Sequence, residues 1–425
     1  MHIYFSGVGG AGIFPCAVLA LKLGYSVTGS DLADSPAKFQ KLRDLGATIE
    51  VGQDGSQIRN ADRANNIDWF VYSSALLMHN PDHPEYVYAE KKNIKMSKLN
   101  TFLNELTSSN QKQVAIAGTH GKTTTTAMFV WLLKELGLKH GYMVGGEPAF
   151  GPAADITPDA EWFVFENDEF DRRFLEFSPH YTILSGVTYD HFDIYPTESD
   201  YHDAFRTYIS QCRQAYMCAT DRDTLYGQSA PENIVVLPEI DGIKLLGTVN
   251  RFDASMVVGA ASDMGLGDTG TLVKIMNRFP GVKRRFEKIT ENLYTDYAHT
   301  PEKIRGALGV AKESSEHVVV IYEPLHNTRQ HRIRDQYKDM FTGIKKLYWV
   351  PTFLARENPD QAVLSPKELI ADMDNPEIAQ PASLDDDLRS VIDLHLEAGD
   401  LVLVVSAGGA NSLDSWLRQE FKVNQ

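Results

Sequence analysis

The segment Gly118-Thr119-His120-Gly121-Lys122-Thr123-Thr124 concentrates the most chemistry in the fewest residues. Gln113 to Ala117 ahead of it is a short apolar run of strand type. From Lys122 the pattern turns helical through Ala127, Met128, Val130, Trp131, Leu132 and Leu133. A strand that enters a glycine turn and leaves as a helix gathers free backbone N–H groups and the positive helix end at one point, and that point binds phosphate. Lys122 adds a full positive charge for β/γ-phosphates, and the Thr123 hydroxyl is placed to ligate Mg²⁺. The strict GxxxxGK[ST] pattern is not met, because its first glycine would fall on Ile116.

A second glycine turn stands near the start of the chain. His2 to Ser6 reads as a buried strand, Gly7, Gly9, Gly10 and Gly12 follow, Ile13 to Leu23 reads as a helix, and Tyr25 to Gly29 as the next strand. With Asp31 about 20 residues beyond the turn, this is a βαβ unit for a dinucleotide or nucleoside diphosphate, and Asp31 would serve the ribose. The same glycines also suit a turn that only packs helix on sheet. Asp68 to Ser73 is a further strand, ending in Ser73 and Ser74 ahead of the loop His79-Asn80-Pro81.

Other polar residues fall at predicted strand ends, where ligands bind in open α/β sheets. Glu166 closes the strand Glu161–Glu166, and Asn167 to Asp171 is an acidic run on the following loop. His191 follows the strand Tyr181–Ser185. A carboxylate, the Thr123 hydroxyl and an imidazole around triphosphate oxygens can hold one or two Mg²⁺ ions. Asn250 opens a helical stretch, where it hydrogen-bonds a base or caps the helix. Lys283-Arg284-Arg285 is a basic run. Asp296, His299, His326 and Arg329 sit at strand tips near the C-terminus, with Thr300 and Pro301 suited to start a helix.

These residues need a scaffold of alternating strands and helices. The expected fold class is α/β in three domains: an N-terminal Rossmann-like domain over 1–109, a central P-loop-type mononucleotide-binding sheet over 110–289, and a C-terminal Rossmann-like α/β domain over 290–425. A chain of 425 residues suits roughly two to four domains. Residues 227–241 read as irregular, and the last domain's second helix is expected from Ile333. The formal net charge of −16 argues against non-specific nucleic-acid binding. Cys16, Cys212 and Cys218 fit no zinc spacing and read as free thiols of a reducing cytosol. No signal segment and no run of membrane-spanning length is seen, so a cytoplasmic protein without membrane insertion is expected.

The motifs GVGGAG at 7–12, SSAL at 73–76, HNP at 79–81, GTHGKTTTT at 118–126, FENDEFD at 165–171, DHFD at 190–193, GVKRRFE at 281–287 and DYAHTP at 296–301 stand in the order of one family. Over nearly its whole length the chain resembles the Mur ligases of peptidoglycan synthesis. The resemblance implies an ATP- and Mg²⁺-dependent amide ligase acting on UDP-N-acetylmuramate and an amino acid or short peptide. It implies Lys122, Glu166, His191 and Arg285 as catalytic groups, with Thr123, Glu166 and His191 on Mg²⁺. Gly118–Thr124, Asn250, Arg285 and Asp296 would contact ATP. The UDP-sugar would take Gly7, Gly9, Gly10, Gly12, Asp31, Ser73 and Ser74, and the incoming amine His299, His326 and Arg329. SSAL and Arg329 look like members that add L-alanine. DEFD and the EP..NT frame at 323–328 look like members that add the L-Ala-D-Glu-meso-diaminopimelate tripeptide. Ser185, Gly186 and Thr188 depart from the asparagine and acid usual in the family. Two other classes stay open: an NAD-dependent oxidoreductase built on Gly7–Gly12 and Asp31, and a nucleotide-binding protein with a degenerate site.

Overall fold

The computed structural model describes residues 1–108, 111–191, 194–227, 229–355 and 357–422, and the side chains of His79 and Ser108 are outside it. Residues 109 and 110 at the expected first boundary, and Phe192 and Asp193 of the 190–193 run, therefore lie outside the described residues. The chain divides into two compact units. The first is Met1–Asp241 with Ala254–Phe279, and the second is Gly242–Asp253 with Pro280–Gln425.

The first unit holds two sheets. Strands β1 (His2–Ser6), β2 (Ser26–Asp31), β3 (Thr48–Val51), β4 (Trp69–Tyr72) and β5 (Lys95–Lys98) form a parallel sheet in the order β3-β2-β1-β4-β5. Strands β6 (Lys112–Ala117), β7 (His140–Met143), β8 (Ala154–Ile156), β9 (Trp162–Glu166), β10 (Tyr181–Leu184), β11 (Gln214–Met217) and β12 (Ile234–Val236) form the second, ordered β12-β11-β10-β6-β9-β7-β8. Only the β7–β8 pair is antiparallel there. Both glycine turns leave a strand flanked in the sheet by two strands that come later in the chain, where the strand order reverses: β1 between β2 and β4, β6 between β10 and β9. A crevice opens at such a reversal, because the helices after the two flanking strands cover opposite faces.

The two sheets share apolar packing. Ile3, Phe5, Cys16 and Ala20 belong to one core with Ala154, Ile156, Phe163 and Phe165. Helix Ile13–Lys22 is buried at Ile13, Cys16, Ala17, Leu19 and Ala20. Its last residue, Lys22, pairs with Asp155 on β8 at 2.5 Å.

The second unit carries β13 (Glu287–Thr290), β14 (Leu293–Asp296), β15 (Val318–Glu323), β16 (Lys346–Trp349), β17 (Ala379–Pro381) and β18 (Leu401–Ser406), in the order β13-β14-β18-β15-β16-β17. Every residue of β15 and β18 is buried. That is why these runs are continuously apolar rather than alternating: helices cover both faces of a parallel sheet.

Some short elements escaped the sequence reading. Strand β12 lies inside the stretch expected to be irregular and pairs with β11 from Ala215↔Ile234 to Met217↔Val236. Three residues carry too little pattern to announce a strand, and the neighbour supplies the ladder. The helix expected from Ile333 begins instead at Asn327 and ends at Ile333. Its polar opening turn looked like loop, but Asn327 and Gln330 are buried with hydrogen-bond partners.

Gly29 shows how tightly the first glycine turn is seated. A Cβ there would lie 2.8–3.0 Å from the Val8 side-chain carbons, and Val8 is fully buried and stiff at χ1. Gly29→Ala should cost about 1–3 kcal/mol by overpacking. Urea unfolding measures it, and a loss below about 0.5 kcal/mol would contradict the packing.

Candidate functional site

Three polar constellations stand at strand ends. At the end of β6, Gly118 has φ +131°, and a Cβ on it would lie 2.7 Å from Ser185 Oγ and 2.8 Å from the Gly186 carbonyl. Only glycine lets the loop pass that close. Helix Lys122–Glu135 starts directly after Gly121, so Lys122, Thr123 and Thr124 form its first turn. Thr119 and His120 complete the loop, and the rear wall is the segment after β10. Thr119 N–H donates to the Gly186 carbonyl at 2.9 Å, and Thr188 N–H donates to Thr119 Oγ1 at 2.9 Å. Ser185 Oγ donates to the His120 carbonyl. The residues that depart from the family pattern thus make a continuous backing for the loop.

Lys122 is held among carboxylates. Its Nζ donates to the Gly118 carbonyl and to Glu169 Oε2, both at 2.7 Å, and lies 3.5 Å from Asp168 Oδ1. Burial disfavours the charge, but Glu169, Asp168 and Glu166 outweigh it and raise the Lys122 pKa. Glu169 is fully buried, with His191 Nε2 3.4 Å from its Oε1. Burial pushes the Glu169 carboxyl up. The nearby His191 ring and the charge of Lys122 prevail and bring it down to about 2. The closeness of Glu169 in turn raises the His191 imidazole.

The sequence reading singled out Glu166 and left Glu169 inside an acidic run. In the structure, Glu169 is the carboxylate that joins Lys122 to His191. Glu166 Oε1 instead accepts the Gly145 N–H at 2.6 Å. Burial at the loop, which composition does not reveal, separates the two roles. Among the described residues no three His, Cys, Asp or Glu side chains converge as a metal cage. The donor set around Lys122 still fits magnesium. That ion takes one or two carboxylates and completes its shell with water and phosphate oxygens.

The second constellation is a cavity of 620 Å³ at the ends of β1, β2 and β4. Gly7, Gly9, Gly10, Asp31 and Ser73 line it. Gly12 and Ser74 are not in the lining. Gly12 serves packing, since a Cβ there would meet Leu99 Cδ2 at 2.7 Å. Asp31 Oδ2 accepts the Gly9 N–H at 2.8 Å, which ties the glycine turn to β2. Lys38 Nζ donates to the Gly9 carbonyl at 2.7 Å and brings a cation that no motif announced.

The third lies in the second unit. Both Asp296 oxygens accept backbone N–H groups, Phe286 at 2.7 Å and Ala298 at 2.8 Å. Arg285 stacks over Tyr297, its guanidinium carbon 5.1 Å from the ring centre. His299 is driven down to about 3 by burial and by the positive charges of Lys303, Arg329 and Arg285. A neutral imidazole beside three cations marks a corner suited to an anion. Among the described residues, Arg329 Nη1 is buried there without a hydrogen-bond partner. His326 takes φ +62° at the start of helix Asn327–Ile333, and its Nδ1 lies 2.6 Å from the Ala355 carbonyl. Asn327 bonds the Ala362 carbonyl and the Leu364 N–H, so the asparagine of the EP..NT frame holds the chain around 362–364. Asn250 lies within helix Thr248–Asp263 and donates to the Leu246 carbonyl at 2.8 Å, so it does not cap that helix. Arg251 beside it forks onto Glu313 at 2.9 and 3.1 Å. Thr300 precedes helix Pro301–Ser314 as expected, but its side chain makes no capping bond.

A phosphate loop with a half-buried lysine on one sheet, parallel-rich α/β sheets on either side of it in the chain, and the family models that match them define an ATP-dependent ligase of acids and amino acids. Family models for the Mur ligase family catalytic domain, the Mur ligase middle domain and the Mur ligase glutamate ligase domain match residues 2–111, 116–236 and 284–408. The chain belongs to the Mur ligase family. It is 30% identical to the UDP-N-acetylmuramate–L-alanine ligase of Xanthobacter autotrophicus over 84% of this chain and 83% of that protein. It is 28% identical to the enzyme of that name from Thermobifida fusca, over 97% and 95%. Among solved structures, the UDP-N-acetylmuramate–alanine ligase of Thermotoga maritima aligns with a TM-score of 0.71 at 24% identity, over 98% of both chains. The murein peptide ligase of Psychrobacter arcticus aligns at 0.65 and 23%, over 100% of both. These two establish the fold.

The Glu169 shift has a sign. A carboxyl held below its ordinary value stabilises the fold above pH 4.5, and that contribution fades as pH falls toward about 2. Glu169→Gln should therefore lose on the order of 3 kcal/mol at pH 7 and converge on the wild type only as pH falls to about 2 and below. Denaturation at both pH values tests it; an equal gap at both contradicts the pairing.

Proposed function

We propose that the chain joins L-alanine to the lactyl carboxylate of UDP-N-acetylmuramate at the expense of ATP. The observation that carries this reading is the phosphate loop Gly118–Thr123 with Lys122 held among carboxylates. Its support is the near full-length likeness to proteins named for that reaction. Residue roles follow from the family motifs on these positions.

The chemical problem is that a carboxylate resists attack, because oxide is a poor leaving group. The lactyl carboxylate therefore attacks the γ-phosphorus of ATP, the bond to the bridging oxygen breaks, and ADP leaves. The alanine amine then attacks the carbonyl of the acyl phosphate, inorganic phosphate departs and the amine loses a proton. Two anions must meet in the first step, so positive charge near the γ-phosphate lowers the barrier. Lys122 and Arg285 supply that charge from the chain. Mg²⁺, held by Thr123, Glu166 and His191, would neutralise phosphate oxygens. Asn250 and Asp296 are assigned to the nucleotide, and the anion corner with Arg329 and His326 to the alanine carboxylate. The His326 Nδ1 contact to the Ala355 carbonyl leaves Nε2 as the ring atom for that task. The glycine turn Gly7–Gly12 with Asp31 takes the uridine diphosphate. An oxidoreductase would leave the lysine of the phosphate loop without work.

Phosphate release should require UDP-N-acetylmuramate, ATP and L-alanine together. The L-Ala-D-Glu-diaminopimelate tripeptide, offered in place of alanine, should support little turnover. Release without either acceptor, or turnover with the tripeptide alone, would overturn the assignment. Lys122→Ala should lower kcat by a factor of about 10²–10³ while circular dichroism still reports a folded chain. Retained activity would remove Lys122 from its role.

A further inference from the structure

The wall of the N-terminal cavity contains a polar side chain whose orientation is dictated from behind. Glu85 is fully buried. Its Oε1 accepts from the Tyr4 hydroxyl at 2.6 Å, and its Oε2 accepts from Ser6 Oγ at 2.6 Å and from Ser30 Oγ at 2.8 Å. An ionised carboxylate can only accept, and a serine hydroxyl has one hydrogen to give. Both serine hydrogens are therefore committed to Glu85, and the two oxygens retain only lone pairs. Gln53 meets them, its Nε2 3.1 Å from Ser6 Oγ and 3.4 Å from Ser30 Oγ. The reverse orientation would set a carbonyl against two oxygens that have no hydrogen left. The network, not a ligand, thus fixes which end of the amide faces the serines. Gln53 lines the cavity, is only 8% exposed, and among the described residues its Oε1 has no hydrogen-bond partner.

We propose that Gln53 is a specificity-determining residue of this cavity: an acceptor of fixed direction that selects a ligand presenting an N–H or O–H donor. Glu85 is the positioning residue that holds it so. This rests on reading the cavity as the site of the UDP-sugar. The donors on such a ligand are the imide N–H of uracil and the hydroxyls of its sugars. No motif announces Gln53, because a lone glutamine between a short strand and the helix Ser56–Ala64 belongs to no nucleotide signature.

Titration calorimetry on the full chain tests the proposal with UDP, UDP-N-acetylmuramate and UDP methylated at the uracil imide nitrogen. Gln53→Leu should weaken UDP and UDP-N-acetylmuramate about tenfold, the loss of one well-formed hydrogen bond. Glu85→Gln can donate to the serine oxygens, which frees their hydrogens for Gln53 and lets its amide turn. It should weaken both ligands in the same way and raise KM for the UDP-sugar while kcat at saturation stays constant. A role in folding alone would lower the unfolding midpoint without that split. If the wild type binds the methylated nucleotide about as weakly as Gln53→Leu binds UDP, the donor is the imide. If it binds the methylated form like UDP while Gln53→Leu weakens both, the donor is a hydroxyl. Should Glu85→Gln fail to fold, Gln53→Leu and the methylated nucleotide decide the matter. Gln53→Leu binding both ligands within twofold of the wild type overturns the role of Gln53. A wild type that binds neither UDP nor UDP-N-acetylmuramate overturns the reading of the cavity itself, and the two failures are distinct.

Discussion

An ammonium drawn largely out of water must be compensated, and the loops at the C-terminal ends of β6 and β9 meet at Lys122. Withdrawing its charge from water costs several kcal/mol unless an opposite charge and hydrogen bonds replace the solvent. Glu169 provides both at 2.7 Å. Glu169 is itself fully buried, so it needs a second donor, and His191 stands 3.4 Å away from the far side. The Tyr195 hydroxyl holds the Glu169 carbonyl at 2.6 Å, and the Tyr201 hydroxyl reaches Thr119 Oγ1 at 2.8 Å. Removing Lys122 or Glu169 leaves the other's charge without its pair, so the loops after β6 and β9 are tied by this ion pair as well as by the apolar cluster of Ala117, Phe174, Val187, Tyr195 and Tyr201.

The same device recurs on each sheet. Glu85 lies under the ends of β1 and β2, bonded by Ser6 and Ser30. Glu323 ends β15 and accepts from Ser406 Oγ at 2.7 Å and from the Leu413 N–H at 2.9 Å. Burial pushes both carboxyls up, and the hydroxyl and N–H donors oppose it. A parallel sheet leaves its strand-end loops without a shared ladder, and a buried carboxylate with several acceptor sites can gather such loops at one point. The loops at these strand ends are thereby preset, and preset polar groups are what electrostatic catalysis requires.

The second unit orders its charges differently. Arg284 is spent on structure, donating to the carbonyls of Ser406 and Gly408 at 3.0 and 3.1 Å, with Asp414 3.2 Å from its Nε. Arg285, next to it in sequence, lies over Tyr297 instead. Adjacent arginines in the basic run thus have unlike tasks, because consecutive side chains leave the backbone in different directions. Sequence alone treats the run as one patch.

Residue type and spacing determined by themselves the α/β class, the two glycine turns, the phosphate loop and the family. Those features are local: a strand period, a turn residue and a helix start all fall within a dozen residues, where pattern and physics coincide. The tertiary structure decided what depends on meetings across long separations. It chose Glu169 over Glu166 as the partner of Lys122, although only two residues separate them, because burial at the loop falls on one and not the other. It brought Gln53 to Ser6, 47 residues away, and Tyr4 to Glu85, 81 away. It made a strand of Ile234–Val236 because β11 was there to pair with. A carboxylate's role is set by what surrounds it once water is excluded, and that environment is assembled from strands remote in sequence.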